Sequence, residues 1–183
     1  MNNKIFLFSV IFMFAIALVG CKKDPIADPN EEELITTLRI TLIEKISQTQ
    51  SVFEFKDLDG EGGQAPSRFD QIVLDKGSEY ACSLELLNES ADPIDNITAE
   101  ILEEGEDHEI FLSATNSLVT FSDLSKDINN LPLGLSSTWA TSGINGNGTL
   151  TITLKHKPGT KASGDLVTEG DTDVSIDFTL VVQ

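Results

Sequence analysis

The sequence has little of what disulfide, metal and nucleic-acid chemistry usually require. Among its 183 residues are only 2 Cys, 2 His and 1 Trp, and 12 Lys and Arg stand against 30 Asp and Glu, a formal net charge of −18. Nucleic-acid phosphates and anionic surfaces need clustered Lys and Arg. We therefore expect no nucleic-acid partner, and the length is that of one domain.

Common catalytic motifs are also missing. The chain has no G-x-S-x-G elbow, no H-E-x-x-H, no P-loop and no dinucleotide fingerprint. Two histidines leave few ways to assemble acid/base chemistry. We therefore predict that the protein is not an enzyme.

The N-terminus has the pattern of a secretory signal. Lys4 supplies a positive charge, and residues 5–19 carry none. This apolar run is short for a membrane-spanning helix, which needs about 20 residues. It ends in Leu18-Val19-Gly20-Cys21, which resembles a lipobox. The resemblance implies cleavage before Cys21 and acylation of its sulfur and its amine; a plain signal peptide with an incidental Cys is the alternative.

We thus predict three parts: a lipoprotein signal peptide at 1–20, a lipidated Cys21 with an acidic tether at 21–33, and a domain at 34–183. More than one acyl chain anchors a protein stably. Two prolines and many charges indicate a solvated tether. We expect anchoring in the outer membrane, facing either the periplasm or the cell surface. With Cys21 lipidated, Cys82 has no disulfide partner, so the domain must depend on its core.

From Leu34 onward, apolar and polar residues alternate, as in strands with one buried face. The clearest alternations predict strands around Leu38–Leu42, Tyr80–Leu86, Leu150–Leu154 and Val174–Val182. Weaker ones predict strands at Val52–Lys56, Phe69–Leu74, Glu109–Ala114, Leu118–Asp123 and Leu135–Thr141. About eight or nine short strands predict an all-β, immunoglobulin-like β-sandwich.

One segment has helical periodicity instead. Ile94, Ile97 and Ile101 share one helical face after Asp92-Pro93. Asp92 is suited to cap the first turn, and Pro93 to open it. We predict one short helix that begins there and ends at Gly105.

An acidic loop follows the second predicted strand. Asp57, Asp59 and Glu61 alternate with other residues, and Gly62 is sixth, as in the first half of an EF-hand calcium loop. The twelfth position, where a closing carboxylate is needed, is Arg68. An arginine would repel the cation, so a Gly-rich acidic loop without calcium is the favoured interpretation.

The two histidines form the other candidate site. His108 and His156 each lie at the end of a predicted strand, at alternating positions whose side chains point to the buried face. Glu104 precedes His108. Two neutral imidazoles and a carboxylate suit zinc or copper. The simpler interpretation is two hydrogen-bonded residues at the rim, because nothing in the sequence places the two strand ends together.

Several segments together resemble an uncharacterised family of small Gram-negative lipoproteins, over nearly the whole mature chain. They are Glu31–Thr37, Phe55–Gly60, Leu86–Glu89, Asp95–Glu100, Glu103–His108, Gly134–Ser136, Leu154–Pro158 and Lys161–Gly164. Members often carry the label "type 1 periplasmic binding fold superfamily protein", which implies a ligand-binding role. That fold has two α/β lobes, whereas the length and alternation of this chain favour one β-sandwich.

We therefore expect a membrane-anchored, non-catalytic binding or accessory module. It would capture a metal or a small nutrient for an outer-membrane transporter. The alternative is a structural or adhesive envelope module with a protein or carbohydrate partner. An exposed apolar or edge-strand surface would favour the alternative.

Overall fold

The computed structural model describes residues 34–60 and 62–183. The predicted signal peptide, the tether with Cys21, and Glu61 of the acidic loop lie outside these residues. No helix of the described residues is long and apolar enough to cross a membrane.

The described chain forms ten strands and one α-helix. In chain order these are β1 (Thr37–Glu44), β2 (Gln50–Lys56), β3 (Arg68–Phe69), β4 (Ile72–Leu74), β5 (Glu79–Leu87), α1 (Ile97–Glu103), β6 (His108–Ala114), β7 (Val119–Ser122), β8 (Ser136–Thr141), β9 (Gly146–His156) and β10 (Asp171–Val182). A single 3-10 turn, Thr115–Ser117, joins β6 to β7.

The strands make two sheets that pack face to face. One has the order β3-β2-β1-β5-β8-β7 and the other β4-β10-β9-β6. Neighbours are antiparallel, apart from the parallel pair β4 and β10. The predicted all-β sandwich is confirmed.

The core lies between the sheets and is built from the alternating residues. Leu38, Ile40 and Leu42 of β1 are fully buried, and so are Leu154 of β9 and Phe178 of β10. Their period of two places every second side chain on the inner face. The alternation in the sequence is therefore the direct cause of the sandwich.

Trp139 of β8 is the largest side chain in this core and is fully buried. Its indole meets Phe121 edge to face, with ring centroids 5.4 Å apart. The indole N–H donates to Ser137 Oγ at 2.9 Å. This bond satisfies the one polar group that the ring carries into the core.

The predicted strand Phe69–Leu74 is two strands, which is why ten are found where eight or nine were expected. Phe69 pairs with Phe55 in the six-stranded sheet. Ile72 pairs with Leu180 in the four-stranded sheet. The chain thus crosses between sheets around residues 70–71. Alternation does not reveal the crossing, because both sheets bury their apolar side chains in the same core.

The predicted start of the helix was wrong, whereas its predicted end at Gly105 agrees with the C-cap at Glu104, the residue before it. The backbone of Asp95 pairs with Asn88, so the chain before residue 96 closes a loop instead of a helical turn. The helix begins at Ile97, where the Asn96 side chain accepts a hydrogen bond from the Ala99 N–H, and it is capped by Glu104 before Gly105. Its buried face, Ile97 and Ile101, agrees with the periodicity.

Two leucines four residues apart test the core assignment. Leu38→Ala should lower the free energy of unfolding by about 2–5 kcal/mol, because a fully buried side chain leaves a cavity. Leu34→Ala, at a side chain 54% exposed, should change it by less than ~0.5 kcal/mol. Urea unfolding of the two variants measures both values; equal losses would contradict the assignment.

Candidate functional site

The two ends of the sandwich differ sharply. At one end the connections 45–49, 75–78, 115–118 and 142–145 have four or five residues each. At the other end lie the long connections 57–67, 88–107, 123–135 and 157–170, together with α1 and the chain leading into β1. We call these the turn end and the loop end. In β-sandwiches, long loops on a rigid scaffold are where binding residues concentrate.

The two histidines meet at the loop end. His108, the first residue of β6, is the cross-strand partner of His156, the last residue of β9. Both are buried and both have the parity of the core face. Their rings are stacked, with centroids 4.7 Å apart and planes 8° from parallel. The sequence predicted the parity; the pairing of the two strand ends depends on the sheet register.

The hydrogen bond of His108 fixes its tautomer. Nδ1 lies 3.1 Å from the Glu104 carbonyl oxygen. A carbonyl only accepts, so Nδ1 carries the hydrogen and Nε2 of the neutral ring is an acceptor. Nε2 is buried and has no hydrogen-bond partner among the described residues.

Asp173 is a residue of this site that sequence reasoning missed. Its fully buried carboxylate lies 4.0 Å from His108 Nε2, beyond hydrogen-bond length. The register of β10 shifts between Thr172 and Val174, so Asp173 is the extra residue of a bulge. A bulge redirects a side chain that strict alternation would send elsewhere. Alternation therefore gave no signal for it.

A close backbone contact brings β10 to this position. Gly170, just before β10, has φ +78°, and a Cβ built on it would lie 2.5 Å from the His156 carbonyl oxygen. Only glycine tolerates both conditions. The returning chain therefore packs directly on the end of β9, beside the histidines.

This geometry does not direct the predicted ligands, His108, His156 and Glu104, at one zinc or copper ion. An imidazole binds a metal along the nitrogen lone pair, which lies in the plane of the ring. Two stacked, nearly parallel planes do not meet at one ion. Glu104 is exposed and reaches His108 through its backbone carbonyl. Within residues 34–60 and 62–183, no group of three or more His, Cys, Asp or Glu side chains could hold a metal ion.

The acidic loop brings two of its three predicted residues together. Desolvation and the neighbouring Asp59 carboxyl raise the pKa of Asp57. The Gln64 N–H, which donates to Asp59 Oδ2 at 2.7 Å, lowers the pKa of Asp59. Arg68 instead pairs with Asp70 in the sheet, at 2.7 Å. Because Glu61 lies outside the described residues, the favoured interpretation of an acidic loop without calcium stays a prediction, with a calcium loop as the alternative.

Two buried lysines tie the long connections together. Lys161 Nζ donates to Asp127 Oδ2 and to the Gly105 carbonyl, both at 2.7 Å, and so joins three connections. Desolvation opposes the Asp127 charge, but this ammonium keeps the pKa of Asp127 below its ordinary value. The lysine side chain is 1% exposed. Nothing in the sequence marked this lysine as structural.

Lys157 plays the same role on the outer face of the four-stranded sheet. Its ammonium lies 2.5 Å from Glu109 Oε2, 3.1 Å from Asp165 Oδ2 and 4.6 Å from the centre of the Phe111 ring. It therefore binds connection 157–170 to β6. Charge-assisted bonds of this kind are strong when partly desolvated.

At the loop end most lysine side chains are buried in ion pairs, whereas many carboxylates are exposed. Its connections contain three lysines, of which only Lys126 is exposed. Among its described carboxylates, eight are exposed, namely Asp59, Asp92, Asp95, Glu103, Glu104, Glu106, Asp123 and Glu169. Large aliphatic side chains stand exposed among them, namely Leu58, Ile94, Leu102, Ile128, Leu166 and Val167.

The remaining cysteine is part of the core. Cys82 of β5 is buried and reduced. Desolvation raises the pKa of its thiol to about 12. A thiol in that state is unreactive at neutral pH.

No protein-family model, no curated protein and no solved structure matches this chain. The membership in a lipoprotein family that the sequence resemblance implies therefore stays a prediction.

The buried His108 predicts that stability depends on pH. Burial lowers the pKa of His108, because desolvation penalises the imidazolium. The unfolded chain then binds this proton at higher pH than the folded one. Stability should fall as the pH drops below about 6.5, with a slope of at most ~1.4 kcal/mol per pH unit from this group. The measurement is urea unfolding of the wild type and of His108→Gln between pH 8 and pH 5.

Because carboxylates also titrate, the comparison uses the difference between the two proteins. His108→Gln should have a lower unfolding free energy than the wild type at pH 8. The difference between the two proteins should shrink on acidification, because only the wild type loses stability through protonation of His108. A gap that stays constant or widens would contradict the lowered pKa.

The buried ion pair between Lys161 and Asp127 predicts a loss of stability when the lysine is removed. Lys161→Met should cost about 1–3 kcal/mol of unfolding free energy, because it leaves the Asp127 carboxylate buried without its cation. Lys161→Met with Asp127→Asn should recover part of that loss, because the amide oxygen still accepts the N–H groups of Asn129 and Leu131 and carries no charge. Lys45→Met, which removes an exposed pair with Glu79, is the matched control and should cost less than ~1 kcal/mol. Similar losses for Lys45→Met and Lys161→Met would refute the assignment.

Proposed function

We propose that the protein is a lipid-anchored cell-envelope module that works by binding, without catalysis, through its loop end. Cys21 would carry the anchor, in the outer membrane. The observation that carries this proposal is the separation of the connections, with four short turns at one end and all four long connections at the other. Such separation is typical of a scaffold that presents loops.

The course of the chain supports an anchored orientation. Thr36 donates its N–H to the Leu87 carbonyl, so the chain reaches β1 at the loop end. The 13 residues from Cys21 to Glu33 precede that point. Extended, they span at most about 45 Å. The loop end is therefore the end nearest the anchor, within reach of proteins in the same membrane, such as the expected transporter.

The surface favours a protein partner over a captured ion. Stacked histidines offer zinc or copper no common position. The loop end instead exposes aliphatic side chains, including Ile128 and Leu166. Such side chains would mark a protein interaction site where they form one contiguous patch. A surface that binds another protein would serve both an accessory module of a transporter and an adhesive module of the envelope.

Anchoring is tested first. In a Gram-negative host, the wild-type protein should take up labelled palmitate and fractionate with the outer membrane, released by detergent but not by high salt. Cys21→Ser should lose the label and become soluble. Cys82→Ala is the control and should keep both properties, because Cys82 is buried. Labelled, membrane-bound Cys21→Ser protein would refute the proposed anchor.

A further inference from the structure

We infer that the loop end docks onto a positively charged, partly apolar segment of another protein in the same membrane. This inference rests on the proposed function and names the chemistry of its partner. It is argued from the charge distribution of the loop end, from its exposed aliphatic side chains, and from the entry of the chain into β1 at this end.

The charge distribution supplies the first step. The side chains of Lys157 and Lys161 are each 1% exposed, and their ammonium groups pair with carboxylates. The exposed charge is therefore almost entirely negative, with Lys126 as the exposed cation of these connections. The turn-end connections are not acidic, since their exposed charges are Lys45, Lys76 and Asp75. A partner complementary to the loop end must carry Lys or Arg.

The aliphatic side chains supply the second step. Ile128 is 89% exposed and Leu166 63% exposed, on two different connections. Charge alone would attract any cation, but these side chains gain free energy only against an apolar surface. The partner must therefore offer aliphatic or aromatic groups beside its cations.

The connections that carry these groups are held in place. Lys161 ties connection 157–170, which contains Leu166, to Asp127, the neighbour of Ile128. Asp127 also accepts the N–H groups of Asn129 and Leu131 within its own connection. The two connections that carry these aliphatic groups are thus tied to each other, which lowers the entropy cost of ordering them on binding.

A lipid surface fits this end less well. The exposed large side chains of its described connections are aliphatic, without the Trp and Tyr that favour the membrane interface. The carboxylates would be repelled by anionic lipids. A protein segment offers both the cations and the apolar groups.

The experiment uses the full-length lipidated protein in detergent micelles. Two fluorescent peptides are the probes, one of Lys and Leu and a matched one of Glu and Leu, with fluorescence anisotropy as the readout. The loop-end variant is Ile128→Ser with Leu166→Ser. The turn-end control is Ile46→Ser with Ile144→Ser, at side chains 92% and 71% exposed. A photo-crosslinking residue at position 128 or 144 locates the bound peptide.

The Lys/Leu peptide should bind the wild type and the Glu/Leu peptide should not. The loop-end variant should weaken binding about tenfold, and the turn-end variant less than about twofold. Cross-links should form from position 128 and not from 144. Equal effects of the two variants, equal cross-linking from both positions, or no binding of the Lys/Leu peptide would overturn the inference.

A lipid arm completes the test. Titration with zwitterionic and with cationic vesicles asks whether the same residues prefer a membrane. Vesicle binding that depends on Ile128 and Leu166, without peptide binding, would overturn the inference in favour of a lipid contact. Because these measurements start from protein already carrying the label at Cys21, their failure is distinct from a failure of anchoring.

Discussion

Burial of alternating aliphatic side chains between the two sheets is the interaction on which the rest of the structure depends. Leu38, Leu154 and Phe178 are fully buried in it, and the described domain has no disulfide, its one cysteine being a buried thiol. Hydrophobic burial of this extent stabilises a domain of ordinary size without cross-links. It fixes the sheet register, and the register fixes which strand ends and loops meet.

Polar interactions, added to this core, organise the loop end. A long loop cannot bury enough apolar area to order itself, so its backbone and side chains need specific partners. Lys161 supplies one by joining three connections, and Lys157 supplies another by binding the last long connection to β6. Both cations end up inside, which leaves the surrounding surface acidic. The same contacts therefore order the loops and set the charge that a partner meets.

The histidine site shows where sequence reasoning succeeded and where it stopped. Parity placed His108 and His156 on the inner face at strand ends, and both are found there. The alternation carries no information about ring orientation. The two rings are stacked with nearly parallel planes, an orientation that does not point both nitrogen lone pairs at one metal ion. Asp173 was missed because a bulge breaks the alternation at that residue. The start of the helix was missed because the pairing of Asn88 with Asp95 lies outside any local signal.

The sequence by itself determined that the domain is an all-β sandwich, which residues face its core, and that a short helix interrupts the strands. These follow from period and composition, which are local properties. Only the tertiary structure decided that Phe69–Leu74 divides between two sheets, that the histidines pair, and that Lys157 and Lys161 are buried cations. These depend on the strand order and register, which join residues far apart in the chain through contacts that no local pattern encodes.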